Sequence, residues 1–273
     1  MSRRWQNCSC VVVGRDSGDR LAALSLQLND IQRQLQQIVC LGKPGSGTSN
    51  TGGWCSDAVG HEHRTDDGLA RALAVLLFGR TAASLGDGLG DYGRAIVDTG
   101  LVERVDSFDG APFIEEATAG RVRFIDLAVP QYWLPVYDWT VCLEVLEHIP
   151  ARHEATALDN LVRPARLGVV LSWARPGQAG FAHVNPRPVY YVMNEMARRG
   201  FRVDEFWTTK LRDAATFSWF KFTINVYRRT DHSLKLFDWQ TNWTDVVAYK
   251  YNSVSNKTTP KWKSPYHDYN VSY

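Results

Sequence analysis

The chain carries almost no net charge, little sulfur and no long apolar run, and each shortage removes a class of protein. Its 31 lysines and arginines stand against 29 aspartates and glutamates. The small basic excess is spread along the chain, so no nucleic-acid or anionic-membrane partner is expected. No apolar run approaches the roughly 20 residues that span a bilayer. Arg3 and Arg4 are followed only by Val11 to Val13, too little for the apolar region of a signal peptide. The five cysteines, Cys8, Cys10, Cys40, Cys55 and Cys142, are too few and too irregularly placed for a disulfide framework. Cys142 sits in an apolar stretch and is expected in the core. Cys55 with His61 and His63 matches no common zinc spacing, so no metal is expected. A soluble, cytoplasmic protein is the favoured expectation. Asn7, Asn242, Asn256 and Asn270 each open an Asn-x-Ser/Thr acceptor sequence, which keeps a secretory-pathway lumen as the alternative.

What is present suits one sizeable domain with flanks: 273 residues, 44% of them hydrophobic. Residues 1–50 read as an N-terminal segment with a short heptad helix and a linker, 51–230 as the main domain, and 231–273 as an aromatic-rich tail. In the first segment Leu21, Leu24, Leu28, Ile31, Leu35 and Ile38 recur three and four apart, which is a heptad seam. It supports two readings: a coiled coil joining two copies through residues 21–39, or one amphipathic helix lying on its own domain. The tail holds Trp239, Trp243, Trp262, Tyr249, Tyr251, Tyr266 and Tyr269 without periodicity. It reads as an irregular segment packed on the domain, or as a lid or partner surface.

The main domain alternates helices and strands. A helix capped by Thr65, Asp66 or Asp67 carries Leu69, Leu73, Leu76 and Leu77 and stops at Gly79. Strands follow at 81–85, 103–108, 121–125, 138–143 and 169–173, with Gly168 just before the last. Helices lie between them, and one of these places Val189, Val192, Met193 and Met196 on one face. Two closing strands are expected at 201–207 and 222–227. The alternation implies an α/β fold with a doubly wound sheet.

The first strand runs into Ser84-Leu85-Gly86-Asp87-Gly88-Leu89-Gly90, where glycines at every second position let the backbone turn sharply and approach a ligand. Gly88-x-Gly90-x-x-Gly93 also fits the dinucleotide fingerprint, so the loop alone leaves S-adenosylmethionine and a nicotinamide or flavin nucleotide open. In an open α/β sheet ligands bind beyond the carboxyl ends of the strands. Asp109 ends the second strand, 23 positions after Gly86, where an acid can accept from both hydroxyls of a ribose. Asp126 ends the third, where it can accept an adenine amino group. Glu144-Val145-Leu146-Glu147-His148-Ile149-Pro150 follows the fourth, and Glu147-His148 can equally be read as a helix start.

On the glycine motif, Asp109, Asp126, and Tyr137-Asp138 through Leu143 to Pro150, the chain resembles the class I S-adenosylmethionine-dependent methyltransferases over 54–229. Gly52-Gly53-Trp54-Cys55 and the stretch from Trp173 to Asn185 look similar to an uncharacterised methyltransferase-like group of animals. The resemblance implies a seven-stranded sheet of order 3-2-1-4-5-7-6 with strand seven antiparallel. It implies S-adenosyl-L-methionine as cofactor, held by Gly86, Asp87, Gly88, Gly90, Asp109 and Asp126. Methyl transfer would go to an O or N acceptor on a small molecule or protein. Glu144 would line the pocket between cofactor and acceptor. His183, beyond strand five, would serve as general base, with Asn185 beside it to orient the acceptor. The family usually has an acid where Ser84 stands, and Asp87 is the expected substitute. Two alternatives stay open: a non-catalytic binding or oligomerisation protein, and an NAD(P)-dependent oxidoreductase.

Overall fold

The structure, a computed structural model, describes residues 15–42, 47–55 and 64–230. Cys8, Cys10, His61, His63, the four acceptor asparagines and the aromatic tail lie outside the described residues.

A long helix α1 (Arg15–Leu41) leads into a short turn closed by a Thr48–Trp54 bridge. Helix α2 (Asp67–Leu76) is capped by Asp66, whose carboxylate accepts from Leu69 N at 2.9 Å. Then come β1 (Thr81–Leu85), α3 (Asp91–Val97), β2 (Arg104–Asp109), the single turn α4 (Ile114–Ala117) and β3 (Val122–Phe124). Strand β4 (Tyr137–Leu143) is followed by α5 (Glu154–Val162), β5 (Ala165–Ser172), α6 (Val189–Arg198) and β6 (Phe201–Val203). Helix α7 (Glu205–Ala214), the turn α8 (Phe220–Thr223) and β7 (Asn225–Arg229) close the domain.

The seven strands form one sheet of order β3-β2-β1-β4-β5-β7-β6. β1 is parallel to β2 and β4, β2 to β3, and β4 to β5, while β7 runs antiparallel to both β5 and β6. The expected order and the expected antiparallel strand are both present. Helices cover both faces, so the central strands bury successive side chains in opposite layers. Trp139, Val141, Val170 and Val226 pack with Leu69, Leu73 and Leu77 on one side. Cys142, Val169, Leu171 and Tyr227 pack with Leu158, Leu161 and Met196 on the other.

The strand boundaries that differ most from expectation are the following. β6 ends at Val203 rather than 207, because Asp204 caps α7 by accepting from Trp207 N at 3.0 Å. β7 starts at Asn225 rather than 222, because Phe220–Thr223 is a helical turn. β5 starts at Ala165, so Gly168 lies inside it.

Helix α1 lies on the domain by its polar face. Ser25, Asn29 and Gln36 are buried. The Ser25 hydroxyl donates to Pro130 O at 2.5 Å and accepts from Tyr132 N at 2.8 Å. The Asn29 amide donates to Phe124 O and accepts from Asp126 N, and Arg33 pairs with Glu115 at 2.7 Å. The heptad residues point the other way: Leu24, Ile31, Leu35 and Ile38 are 58%, 53%, 51% and 67% exposed. The helix therefore lies on its own domain as one reading expected, with its apolar seam turned outward.

Candidate functional site

The carboxyl ends of β1, β2, β3, β4 and β5 open into one cleft of about 490 Å³. Gly86, Asp87, Asp109, Asp126, Glu144 and His183 all line it. Gly86, Gly88 and Gly90 take positive φ of 84°, 54° and 81°, the left-handed turns that glycine permits at no steric cost. Gly88 and Gly90 are set back from the wall. Gly88 N donates to the Asp109 carboxylate at 2.8 Å, and Gly90 caps α3.

On the β1–β3 side the wall is acidic and buried. Asp109 Oδ1 accepts from Ala111 N at 2.8 Å while its Oδ2 holds Gly88, so this carboxylate fixes the glycine loop to the end of β2. Asp87 Oδ2 accepts from the Ser107 hydroxyl at 2.6 Å and from Gly93 N at 3.1 Å. Its other oxygen is buried without a hydrogen-bond partner. Burial raises Asp87 from 3.8 to about 6, against the lowering effect of the Ser107 and Gly93 hydrogen bonds. Asp126 is likewise raised to about 6 by burial, although Ala128 N, Thr51 and Gln36 bond to it. Ser84 lies at the end of β1 on the same wall.

On the β4–β5 side, Glu144 takes a left-handed φ of 54°, a conformation that costs a non-glycine residue of order 1 kcal/mol and clusters at functional sites. Its carboxylate accepts from Gln178 Nε2 at 2.5 Å and from the Thr223 hydroxyl at 3.2 Å. Glu147 and His148 precede α5 rather than starting it. His148 is on the cleft wall and Glu147 lies fully buried behind it. Burial, with the nearby Glu144 charge, pushes the Glu147 carboxyl well above the usual carboxylate range. His183 stacks edge-on to His148 at 5.0 Å, and Trp54 to His148 at 5.3 Å. Asn185 turns away to donate to Glu154 at 3.0 Å, so it does not orient a ligand as expected.

Thr65, Tyr92, Trp219 and Phe220 also line the cleft, and a further part of its wall comes from the N-terminal segment. Gln36 on α1 donates to Asp126 Oδ2 and to the Thr51 hydroxyl, each at 2.7 Å. Thr51 to Trp54 line the cleft beside them. Cys40, at the end of α1, is joined to Cys55 by a disulfide, a single link that is no framework but that the sequence reading did not single out. Spacing along the chain did not reveal the pair, because only the docking of α1 brings the two together. The Gly52-Gly53-Trp54-Cys55 motif was the available signal that this segment matters.

The sheet order is that of the class I methyltransferase fold that the sequence resembles. No family model matches the chain, and no curated protein sequence does. Solved structures similar in fold include the sugar N-methyltransferase KedS8 from a Streptoalloteichus species, 13% identical, covering 63% of this chain and 90% of its own, at a TM-score of 0.48. Magnesium protoporphyrin IX methyltransferase from Synechocystis, with bound SAH, is 15% identical over 63% of this chain and 92% of that one, at 0.45. A TehB-like S-adenosylmethionine-dependent methyltransferase from Corynebacterium glutamicum is 18% identical over 60% and 88%, at 0.44. Likeness at this level concerns the fold and passes on no activity.

Proposed function

We propose that the chain binds S-adenosylmethionine and transfers its methyl group to an oxygen or nitrogen of a small-molecule or protein acceptor. The observation that carries this reading is the Asp87 carboxylate inside the glycine loop, buried, with Oδ1 unpartnered. A buried acid there favours an ammonium group and repels a pyrophosphate, which argues for the amino-acid end of this cofactor and against a dinucleotide. It supplies the acid that Ser84 lacks. Asp109 would take the ribose hydroxyls and Asp126 the adenine amino group, each carboxylate oxygen having a lone pair beyond its present bond. Gly86, on the cleft wall, would admit the methionine end, while Gly88 and Gly90 shape the loop behind it.

When bound, the cofactor would supply an electrophilic sulfonium methyl for an acceptor lone pair, with sulfur keeping the electrons of the broken carbon–sulfur bond. The chain's own task is alignment and exclusion of water, worth about 7 to 11 kcal/mol of barrier when geometry is right. Glu144 and His183 stand on the side from which an acceptor would approach. His183 Nδ1 lies 3.2 Å from Gln178 O, so donation there would leave the ring's lone pair on Nε2.

S-adenosylhomocysteine is expected to raise the melting temperature and NADH is not. At 100 times the dissociation constant the stabilisation is about 2.7 kcal/mol. Differential scanning fluorimetry with both ligands decides it, and equal shifts, or none at millimolar ligand, would overturn the assignment. A non-catalytic binding protein is the outcome if S-adenosylhomocysteine binds but no acceptor is ever methylated.

The outward seam of α1 supports a homodimer through residues 21–39. No described helix is long and apolar enough to cross a membrane. The Cys40–Cys55 disulfide supports an oxidising compartment, the secretory lumen, over the cytoplasm.

A further inference from the structure

We infer that Glu147, His148 and His183 form a site for one divalent transition-metal cation at the acceptor end of the cleft. Their ligand atoms all lie within 4.8 Å of one another. Ligands sharing an ion at about 2.1 Å stand roughly 3 to 4 Å apart, so side-chain adjustments of well under 2 Å would close the shell. Glu147 is fully buried, and neither carboxylate oxygen has a hydrogen-bond partner. A buried carboxylate without partners is costly, and a cation is the partner that removes the cost. Its Oε1 lies 3.9 Å from His183 Nε2.

Both imidazoles are turned for ligation. His183 Nδ1 lies 3.2 Å from Gln178 O and His148 Nδ1 3.3 Å from Ala182 O. Donation from Nδ1 to a carbonyl selects the tautomer whose Nε2 carries the lone pair, the usual support for a metal-bound histidine. Ala182 holds a left-handed φ of 55° to present that carbonyl. Gly180 makes room for the ring: a Cβ there would fall 2.1 Å from His183 Nε2. The two ligand-bearing segments are also latched together, since Val184 N and Asn185 N both donate to Glu147 O, at 2.9 and 2.8 Å.

Two imidazoles with one carboxylate suit manganese, iron, cobalt or zinc rather than magnesium or calcium. Three protein ligands leave positions for a substrate oxygen, with Glu144 at the rim. This deepens the methyl-transfer reading and rests on it for its chemistry. An acceptor hydroxyl bound to the cation would release its proton to water, leaving an oxygen lone pair to bond the methyl carbon as that carbon's bond to sulfur breaks and S-adenosylhomocysteine leaves. His183 would then act on the acceptor through the cation rather than by taking the proton itself.

The test uses the full chain, stripped with chelator and titrated with Mn²⁺, which thiolates do not favour. Calorimetry is expected to show one equivalent bound, with affinity at least tenfold weaker in Glu147→Gln and in His183→Ala, while S-adenosylhomocysteine affinity moves less than threefold. Electron spin echo spectra of the Mn²⁺-loaded wild type need no variant and are expected to show imidazole nitrogen coupling. No binding at millimolar Mn²⁺, no nitrogen coupling, or unchanged affinity in both variants would overturn the site. Mn²⁺ binding without S-adenosylhomocysteine binding would keep the site and remove the methyl-transfer reading. The converse would remove the site and keep that reading.

Discussion

Asp87 has the least ordinary environment of the residues on the cofactor side. Burial holds its carboxyl at about 6 instead of 3.8. A folded value raised in this way contributes stability that is full below about 3.8 and is lost as pH rises through about 6. Binding runs the opposite way, since an ammonium group needs the ionised carboxylate. Affinity for S-adenosylhomocysteine is therefore expected to fall about tenfold per pH unit below about 6 and to level off above it. Calorimetry across that range checks this, and a profile unchanged in Asp87→Asn would remove Asp87 from the ligand. The strand-end residues Asp87, Asp109, Asp126 and Glu144 were legible because each follows an apolar run at a point where an α/β sheet must present its ligand. The partners Gln36 and Thr51 were not, because they reach Asp126 from a separate segment, 90 residues away for Gln36. Glu147 and His148 were legible as part of the motif after the fourth strand, with a helix start as the other reading, but not as neighbours of His183, since nothing in the local pattern shows that His183 returns to meet them.

Among the elements, α1 departs furthest from expectation. An amphipathic helix ordinarily buries its apolar stripe. Here hydrogen-bonding side chains bury instead, and the leucine and isoleucine seam remains in solvent. Replacing Leu24, Ile31, Leu35 and Ile38 with serine is expected to convert a dimer to a monomer, read by light scattering. S-adenosylhomocysteine binding should be unchanged, because Gln36 and Cys40 stay in place. A wild-type chain that is already monomeric would remove the dimer. The seam was legible in the sequence, but its direction was not: periodicity reveals a stripe without saying which side the domain occupies. Helix α7 was missed for a different reason. Phe201 to Trp207 supports a strand by its aromatic and β-branched content, and Asp204 followed by Glu205 was the overlooked start signal.

Across the whole molecule, the sheet order followed from the alternation of strands and helices together with the resemblance. The closure of the cleft did not, because it depends on the Cys40–Cys55 link between segments 15 residues apart. Cys40→Ser with Cys55→Ser is expected to lower stability by about 3 kcal/mol in urea denaturation, the worth of closing a loop of this length. It should also weaken S-adenosylhomocysteine binding, as Thr51 to Trp54 lose their anchor. Equal denaturation midpoints for wild type and variant would show that the link carries no such stabilisation.

The polar seat of α1 also has a calorimetric consequence. Heat capacity and denaturant slope both scale with the surface exposed on a transition, and only apolar surface raises the heat capacity. Lifting α1 from its seat exposes amides, a hydroxyl and an ion pair, so it would pass with almost no heat-capacity signal. Separating two seams would expose leucine and isoleucine and would carry a clear positive one. Temperature-dependent dilution calorimetry can therefore tell the two motions of one helix apart: a dissociation enthalpy that rises with temperature belongs to the seam, and a flat one to the seat.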